Sequence, residues 1–367
     1  MVNFTILAGG YSNAIVSYLF NSDASTLSVL AQNPSGANPS WIALHPTNKS
    51  ILYATNENTD GALQSFVVLS NGSLTPAIDT VFTGEDVDHR NGPAFAIPLS
   101  TGEVAAMNFG SGNGVFVPTG EDPTAFVTGS PVITFPTTRS PTSHPHMALE
   151  VGSEVFIPDL GEDTIWRLVQ DGAPGQYKIQ GQIDQAPGSG PRHIVVRGDQ
   201  LYTIHEDDST LTQQTIPSDP ATHAAPATAN FSIIPPGVPQ GATLFAAEIL
   251  LAEASTQPGS NFSQPFLYAS NRNTNTDVLD PRGDAIAIYA VEPELTFVKH
   301  VFTGLNQIRG MELSGGSENE FLVAAGVGGA AGTIVLKRTQ GGADLEIVAT
   351  NKEIPTRSSF VWLESQQ

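Results

Sequence analysis

The sequence predicts an all-β protein, a seven-bladed β-propeller, and three observations support this prediction. A short pattern, in which a turn or polar residue leads into an apolar strand, occurs seven times. Its copies begin 46 to 63 residues apart, which is the length of a four-stranded propeller blade. The chain also has 35 glycines and 27 prolines and little helical periodicity, as expected for many short strands joined by turns.

The repeated pattern itself forms the first strand of each predicted blade. Two further strand segments follow each of the first six copies, as "SILYATNE" and "ALQSFVVL" follow the first one. The seven copies are "NPSWIALH" (from Asn38), "GPAFAIPL" (Gly92), "HPHMALEV" (His144), "GPRHIVVR" (Gly190), "FAAEILLA" (Phe245), "IRGMELSG" (Ile308) and "SSFVWLES" (Ser358).

The two ends of the chain complement each other. The seventh copy, near the C-terminus, lacks its following strands, whereas the N-terminal segment "FTILAGGYSNAIVSYLF" supplies two strands without a first one. We therefore expect the N- and C-terminal strands to pair and close the ring, so that residues 1–367 form a single domain. Two β-sandwiches in tandem, the alternative, would explain neither the spacing nor this exchange.

Composition narrows the classes of function. Fifteen Lys and Arg against 36 Asp and Glu give a formal charge of −21, which argues against nucleic acid and anionic membrane surfaces as partners. The absence of cysteine excludes disulfides, zinc thiolate sites and cysteine nucleophiles. We expect a monomer without a cofactor, acting on an anionic carbohydrate or a small carboxylate.

Secretion is the expected localisation, with the cytoplasm as the alternative. The chain has no cysteine and only five lysines, and its composition is acidic and rich in Thr, Ser and Asn. No stretch is apolar and long enough to span a membrane. Five N-glycosylation sequons begin at Asn3, Asn48, Asn71, Asn230 and Asn261.

One rim of the propeller is the predicted site. Successive strands of a blade run antiparallel, so the start of the first strand and the end of the second lie at the same rim. Basic residues concentrate there, and arginine forks suit the binding of a carboxylate. The strand starts carry His89, Arg90, His144, His146, Arg192, His193 and Arg309, and the second-strand ends carry Glu57, Asn108, Asp159, Glu206 and Arg272.

These residues also have structural interpretations. Polar side chains at strand ends commonly satisfy backbone groups or pair with charges across blades, and Glu206 could neutralise Arg192 or Arg272. Asn108 and Asp159 resemble turn formers. The two histidines of "HPH" could ligate a metal together with acidic neighbours, but nearby arginines would repel a cation, so no metal site is predicted.

The segments "SHPHMALEVGSEVFIPDL", "GSGPRHIVVRGDQLYTIHED", "IIPPGVP" and "FLYASNRN" resemble those of the propeller lactonase family. This family includes 6-phosphogluconolactonase and the fungal 3-carboxy-cis,cis-muconate lactonizing enzyme. The resemblance implies that His146, Arg192, Glu206 and Arg272 match the positions proposed to form the cyclase site. Residues 120–141 and 219–240 depart from the family pattern, so the substrate does not transfer with the fold.

Some secreted fungal proteins that resemble these cyclases are lyases of L-rhamnosyl-(1,4)-D-glucuronate ends. Their reaction is a β-elimination, and the cyclase reaction run backwards is one too. Both require arginines that absorb charge on a carboxylate and a base that removes a carbon-bound proton. A secreted polysaccharide lyase of this kind is therefore the main functional hypothesis. The alternatives are carboxymuconate cyclisation, hydrolysis of a sugar lactone, and a non-catalytic surface antigen or adhesin.

The lyase hypothesis gives each rim residue a role. Arg192 and Arg272 hold the uronate carboxylate, and Arg90 or Arg309 assists them. His89 or His146 removes the proton, with His89 preferred because Arg90 beside it would help to keep it neutral. The other histidine, or Glu206, serves the leaving oxygen. The remaining predicted substrate-binding residues are His193 and Asn108.

Overall fold

The computed structural model describes residues 3–84, 91–329 and 331–363, and it confirms the seven-bladed β-propeller. Each blade is a four-stranded antiparallel sheet, and the blades are numbered in the order of the repeated sequence pattern. From the innermost strand outward, the strands of the first three blades are β4 (Ile42–Leu44), β5 (Ile51–Asn56), β6 (Ala62–Val67) and β7 (Asp79–Phe82) in blade one; β8 (Pro93–Pro98), β9 (Glu103–Asn108), β10 (Asn113–Pro118) and β11 (Val132–Thr134) in blade two; and β12 (Leu149–Val151), β13 (Glu154–Asp159), β14 (Thr164–Gln170) and β15 (Tyr177–Asp184) in blade three. In the same order, the strands of the next three blades are β16 (Pro191–Arg197), β17 (Gln200–His205), β18 (Thr210–Thr215) and β19 (Ala229–Ser232) in blade four; β20 (Leu244–Ala252), β21 (Phe266–Asn273), β22 (Ala285–Ala290) and β23 (Thr296–Phe302) in blade five; and β24 (Asn306–Leu313), β25 (Phe321–Gly328), β26 (Gly332–Thr339) and β27 (Asp344–Asn351) in blade six. Blade seven combines the C-terminal strand β28 (Arg357–Leu363) with the N-terminal strands β1 (Asn3–Gly10), β2 (Ala14–Asn21) and β3 (Thr26–Pro34).

Helix is almost absent from the described residues. They contain a short 3-10 helix, η1 (Gln340–Gly342). Within the same ranges, no helix has the length and apolar character that a membrane crossing would require.

The ring closes as the sequence predicts, by pairing the two ends of the chain. In blade seven β1 runs antiparallel to β28, with Thr5 opposite Leu363 and Gly9 opposite Ser359. Aromatic side chains pack beside this junction, and the rings of Phe20 and Phe321 are 5.0 Å apart. The closure therefore joins backbone hydrogen bonds within blade seven to apolar packing against blade six.

The hydrophobic core lies between neighbouring blades. Strands β5 and β9 are buried at every position because adjacent blades cover both of their faces. The outermost strand β7 instead alternates between partly buried and exposed residues, as expected for a strand with one solvated face. The innermost strands face the propeller axis, so they position the side chains that surround it.

Five innermost strands have a shift in their pairing with the second strand of the blade. Each shift lies near the start of the innermost strand and is a β-bulge. A bulge leaves a residue outside the hydrogen-bonded ladder and redirects its side chain. The residues at these bulges are Ala94, Arg192, Ala247 with Glu248, Arg309 and Ser358.

Candidate functional site

A small cavity lies at the rim where the innermost strands begin. Its volume is about 10 Å³, which is room for about one water molecule. Tyr11 and Glu57, which follow the second strands of blades seven and one, line the cavity together with His146. Four of the bulge residues reach the same cavity, namely Ala94, Arg192, Arg309 and Ser358.

Glu206 joins two buried arginines next to this cavity. Arg192 Nε is 2.7 Å from Glu206 Oε2, and Arg272 Nη2 pairs with Glu206 Oε1. Burial opposes the ionisation of Glu206, but the two guanidinium groups outweigh it and hold the pKa of this carboxyl below its usual value. Burial and the charge of Arg192 lower the pKa of Arg272 to about 9. At neutral pH the site therefore holds a carboxylate between two cations.

Arg309 approaches the cavity from blade six and has weaker ionic partners. Its Nη2 is 4.0 Å from Glu57 Oε1, and its guanidinium carbon lies 5.4 Å from the centre of the Tyr11 ring. Burial raises the pKa of Tyr11 to about 12, although the charge of Arg309 acts against this rise. Tyr11 therefore keeps its proton, and Arg309 retains hydrogen-bonding capacity for an anionic group.

Three buried side chains form a hydrogen-bonded chain that leads to the cavity. His193 Nδ1 is 2.6 Å from Glu248 Oε1, and His193 Nε2 is 3.2 Å from His146 Nδ1. Burial, reinforced by the charge of Arg192, holds the pKa of both histidines well below the usual value. Both imidazoles are therefore neutral at neutral pH, and each has one nitrogen that donates and one that accepts.

The state of Glu248 determines which nitrogen of His146 carries hydrogen. When Glu248 is ionised it accepts from His193 Nδ1, His193 Nε2 accepts from His146 Nδ1, and His146 Nε2 keeps a lone pair. When Glu248 is protonated its O–H donates to His193 Nδ1, each hydrogen bond reverses, and His146 Nε2 carries hydrogen. Burial raises the pKa of Glu248 to about 8, so both states are accessible near neutral pH. His146 Nε2 can thus serve as a base and as an acid.

Most of the predicted site residues come together, and some do not. His146, Arg192, His193, Glu206, Arg272 and Arg309 form the cluster described above. Asn108 is buried away from it, where its Nδ2 donates to Thr83 O and to Asn113 Oδ1. His89 and Arg90 lie outside the described residues.

Two further candidates also have structural roles. Asp159 accepts hydrogen bonds from the His144 backbone at 2.8 Å and from Trp166 Nε1 at 2.8 Å. His144 stacks on Phe109, with ring centres 4.7 Å apart. Both residues stabilise the entry to blade three, and neither lines the rim cavity.

Sequence reasoning missed Tyr11 and Glu248. Glu248 is the sole charged residue in its copy of the repeat, "FAAEILLA", so an acidic side chain in an apolar strand was the available signal. Tyr11 follows a second-strand end, but its phenol is uncharged at neutral pH, so charge patterning gives no signal for it. Within residues 3–84, 91–329 and 331–363, no three His, Asp or Glu side chains are grouped to hold a metal ion.

Comparison with known proteins agrees with this architecture. No curated protein sequence is significantly similar to the chain. Among solved structures, a protein from Lactobacillus plantarum superimposes with a TM-score of 0.80 at 21% identity, covering 99% of this chain and 100% of that one. A putative 6-phosphogluconolactonase from Bacteroides fragilis gives 0.78 at 21% identity, covering 99% and 98%. The periplasmic gluconolactonase PpgL of Pseudomonas aeruginosa gives 0.79 at 20% identity, covering 99% and 100%.

These likenesses extend over whole chains, and at such identities they establish the fold. The family model described as lactonase, 7-bladed beta-propeller, matches residues 5–362, which is nearly the full length of the sequence. The chain belongs to this family of propeller lactonases.

Proposed function

We propose that the protein hydrolyses a sugar lactone that binds at the rim, with the attacking water molecule in the rim cavity. The observation that carries this proposal is the neutral His146, held by His193 and Glu248, beside a water-sized cavity that Arg192 and Arg309 also line. Hydrolysis needs a base for one water molecule and cationic donors for the oxyanion that forms. In this proposal His146 is the base, and Arg192 and Arg309 are the donors.

The reaction can be written with these groups. His146 Nε2 takes a proton from water, and the water oxygen forms a bond to the lactone carbonyl carbon. The electrons of the carbonyl bond move to its oxygen, where the Arg309 and Arg192 guanidinium groups stabilise the charge. The carbonyl then re-forms, the bond from the carbonyl carbon to the ring oxygen breaks, and His146 returns its proton to that oxygen. The product is a hydroxy acid.

The arrangement around Glu206 favours hydrolysis over the lyase hypothesis. Arg192 and Arg272, which that hypothesis assigns to a uronate carboxylate, already share the carboxylate of Glu206. The resident carboxylate reduces the attraction of both arginines for a second anion, whereas Arg309, 4.0 Å from Glu57, is held less closely by a resident carboxylate and is the main donor to the oxyanion. The membership in the lactonase family also supports hydrolysis. β-Elimination of a rhamnosyl-glucuronate end, with the same His146 as base, is the second candidate.

One paired assay separates the two reactions. The protein is incubated with glucono-δ-lactone, with acid release followed against the spontaneous rate, and separately with gum arabic, with the ultraviolet absorbance of unsaturated uronate followed. We expect acid release from the lactone above the spontaneous rate and no unsaturated uronate from gum arabic. In His146→Gln, acid release should fall to the spontaneous rate. Unsaturated uronate together with free rhamnose would overturn the hydrolase proposal in favour of the lyase.

Secretion remains part of the proposal. The asparagines of all five sequons are exposed, which is compatible with glycan attachment. Expression in a glycosylating host, followed by enzymatic removal of N-glycans, tests this: a gain in electrophoretic mobility supports secretion, and unchanged mobility favours the cytoplasm.

A further inference from the structure

A second and larger cavity occupies the propeller axis on the other side of His193. Its volume is about 710 Å³, and all seven innermost strands contribute to its wall. The rim cavity lies at the starts of these strands, whereas this channel extends from their middle towards their ends. His193 and Trp41 lie at the boundary, and Trp41 lines both spaces.

The channel wall is mainly apolar. Ile249 and Met311 are nearly fully buried, with 3% of their surface exposed. A cavity of this size with an apolar wall and a few polar groups is typical of a small-molecule site. The apolar side chains along the wall include Ile42, Leu44, Met147, Leu251, Leu313 and Phe360.

The charged groups in this wall are all acidic. Among the described residues that line the channel are Glu150, Glu248 and Glu312, and no lysine or arginine. Glu150 is hydrogen bonded to the backbone of Ser100 at 2.9 Å. Glu248 lies in the middle of its strand, at the inner end of the channel, and Glu312 is the next to last residue of its strand.

The carboxyl of Glu248 has unused acceptor capacity, and the partly buried Glu312 lines the same channel. Glu248 is 4% exposed, and its Oε2 has no hydrogen-bond partner among the described residues. Glu312 Oε1 accepts from the Leu313 backbone at 3.0 Å. A buried carboxyl oxygen without a donor is costly, so Glu248 Oε2 favours a ligand that brings hydrogen-bond donors.

We propose that the channel is a second binding site, which takes a small organic amine. Its ammonium group donates to Glu248 and Glu312, and its apolar body packs along Leu44, Leu251 and Leu313. An ammonium group has three donors and no acceptor, which matches the Glu248 oxygen that lacks a donor and a second carboxyl beside the same channel. Burial of the apolar body supplies the remaining affinity. This inference does not depend on the reaction at the rim.

Amine binding in the channel is expected to depend on pH, because the carboxyls that bind the ammonium group titrate near neutral pH. Burial raises the pKa of Glu248 and of Glu312 to about 8 each, and the charge of Glu248 adds to the rise at Glu312. Arg192 and Arg309, behind His193, oppose the rise at Glu248, and His193 itself is neutral. Binding of a cation favours the ionised carboxyls, so amine binding at neutral pH releases protons, and affinity increases as the pH rises towards 8.

A matched series of ligands tests the proposal on the unaltered protein by calorimetry. n-Octylamine, n-octanol and octanoate share one apolar body and differ in charge. We expect octylamine to bind with one-to-one stoichiometry and more tightly than octanol, and octanoate not to bind. Titrations in two buffers of different ionisation enthalpy should show proton release with octylamine. Equal affinity for all three ligands, or no binding of octylamine, would overturn the proposal.

Two substitutions locate the site. Glu312→Gln retains an acceptor for the Leu313 backbone and should weaken octylamine binding by about tenfold or more, the expected effect of losing a hydrogen bond to a charged group. Glu150→Gln removes the same charge where Ser100 already supplies donors, and should leave binding nearly unchanged. His146→Gln should also retain binding. If folded Glu312→Gln binds octylamine as tightly as the parent protein, the assignment of the ammonium group to Glu312 is wrong. If that variant does not fold, the ligand series on the unaltered protein remains the test.

Discussion

Arg192 and Arg309 occupy corresponding β-bulges on the innermost strands of blades four and six, and both side chains line the same cavity. Each residue lies outside the regular ladder between its first two strands. In an unbulged strand, the strict alternation of side chains would continue through this position. The bulges therefore allow two guanidinium groups from separate blades to meet at the rim.

Substitution of His146 tests its role as the base. We expect His146→Gln to lower kcat for lactone hydrolysis by about 10²- to 10⁴-fold, because general base catalysis contributes about this much. Thermal unfolding should confirm that the protein remains folded. His144→Gln is the matched control, since His144 packs on Phe109 outside the cavity, and it should retain most activity. Comparable losses in both variants would contradict the assignment.

Substitution of Arg309 tests stabilisation of the oxyanion. Arg309→Ala should reduce kcat/KM by about a hundredfold, the usual effect of removing one oxyanion donor. Arg309→Lys should recover only part of this loss, because an ammonium group lacks the planar fork. The control is Arg338→Lys in the same blade, where Arg338 donates to Tyr268 and to the Glu318 backbone. It should lower Tm without changing kcat/KM.

The ion pairs of Glu206 are expected to stabilise the fold. Glu206→Gln leaves two buried guanidinium groups without their shared carboxylate, and this should cost about 3–5 kcal/mol of unfolding free energy. Glu253→Gln breaks a pair that is largely in solvent, 2.9 Å from Arg197, and should cost less than about 1 kcal/mol. Denaturant unfolding measures both. An equal loss of unfolding free energy in the two variants would show that the buried ion pairs of Glu206 stabilise the fold no more than an exposed pair does.

Stability should decrease as the pH rises above 6.5. Burial raises the pKa of Glu248 and Glu312 to about 8, so the native state binds more protons than the unfolded state between about 4.5 and 8, and unfolding free energy falls with pH in this window. The lowered pKa of His146 and His193 acts in the opposite direction, and only below about 6.5.

Glu312→Gln should therefore reduce the fall in Tm between pH 6.5 and about 8.5. Glu320→Gln, which removes an exposed carboxyl paired with Lys337, controls for the change in net charge. A slope in Glu312→Gln as steep as in the parent protein would contradict the raised pKa of this residue.

The packing of blade six against blade seven depends on Gly310, the residue after the Arg309 bulge. A Cβ atom at this position would overlap the Ser358 carbonyl oxygen. We expect Gly310→Ala to cost about 1–3 kcal/mol of unfolding free energy, as overpacking usually does. Gly120→Ala is the control, because its nearest neighbour would lie 3.7 Å from the new Cβ. An unchanged unfolding free energy in Gly310→Ala would show that β24 and β28 can move apart at little cost.

The sequence predicted that Arg192 and Glu206 lie at one rim, but it left their partners open. Arg192 at a strand start and Glu206 at a second-strand end could be placed together from antiparallel topology alone. Whether Glu206 binds substrate or neutralises an arginine could not be decided, because ion pairing depends on distances between blades. Asn108 also lies at a second-strand end, yet its amide group donates to Thr83, which follows the last strand of blade one, and to Asn113 in blade two.

The sequence by itself determined the number of blades and the closure of the ring. Each blade repeats a local pattern of apolar strands and turns, and the C-terminal copy of this pattern lacks the strands that the N-terminal segment supplies. Only the tertiary structure decided which side chains reach the axis and in what protonation state. Bulges arise from strand pairing, and the pKa of His146 and Glu248 depends on burial by residues from several blades. These interactions join residues distant in sequence, so no local pattern encodes them.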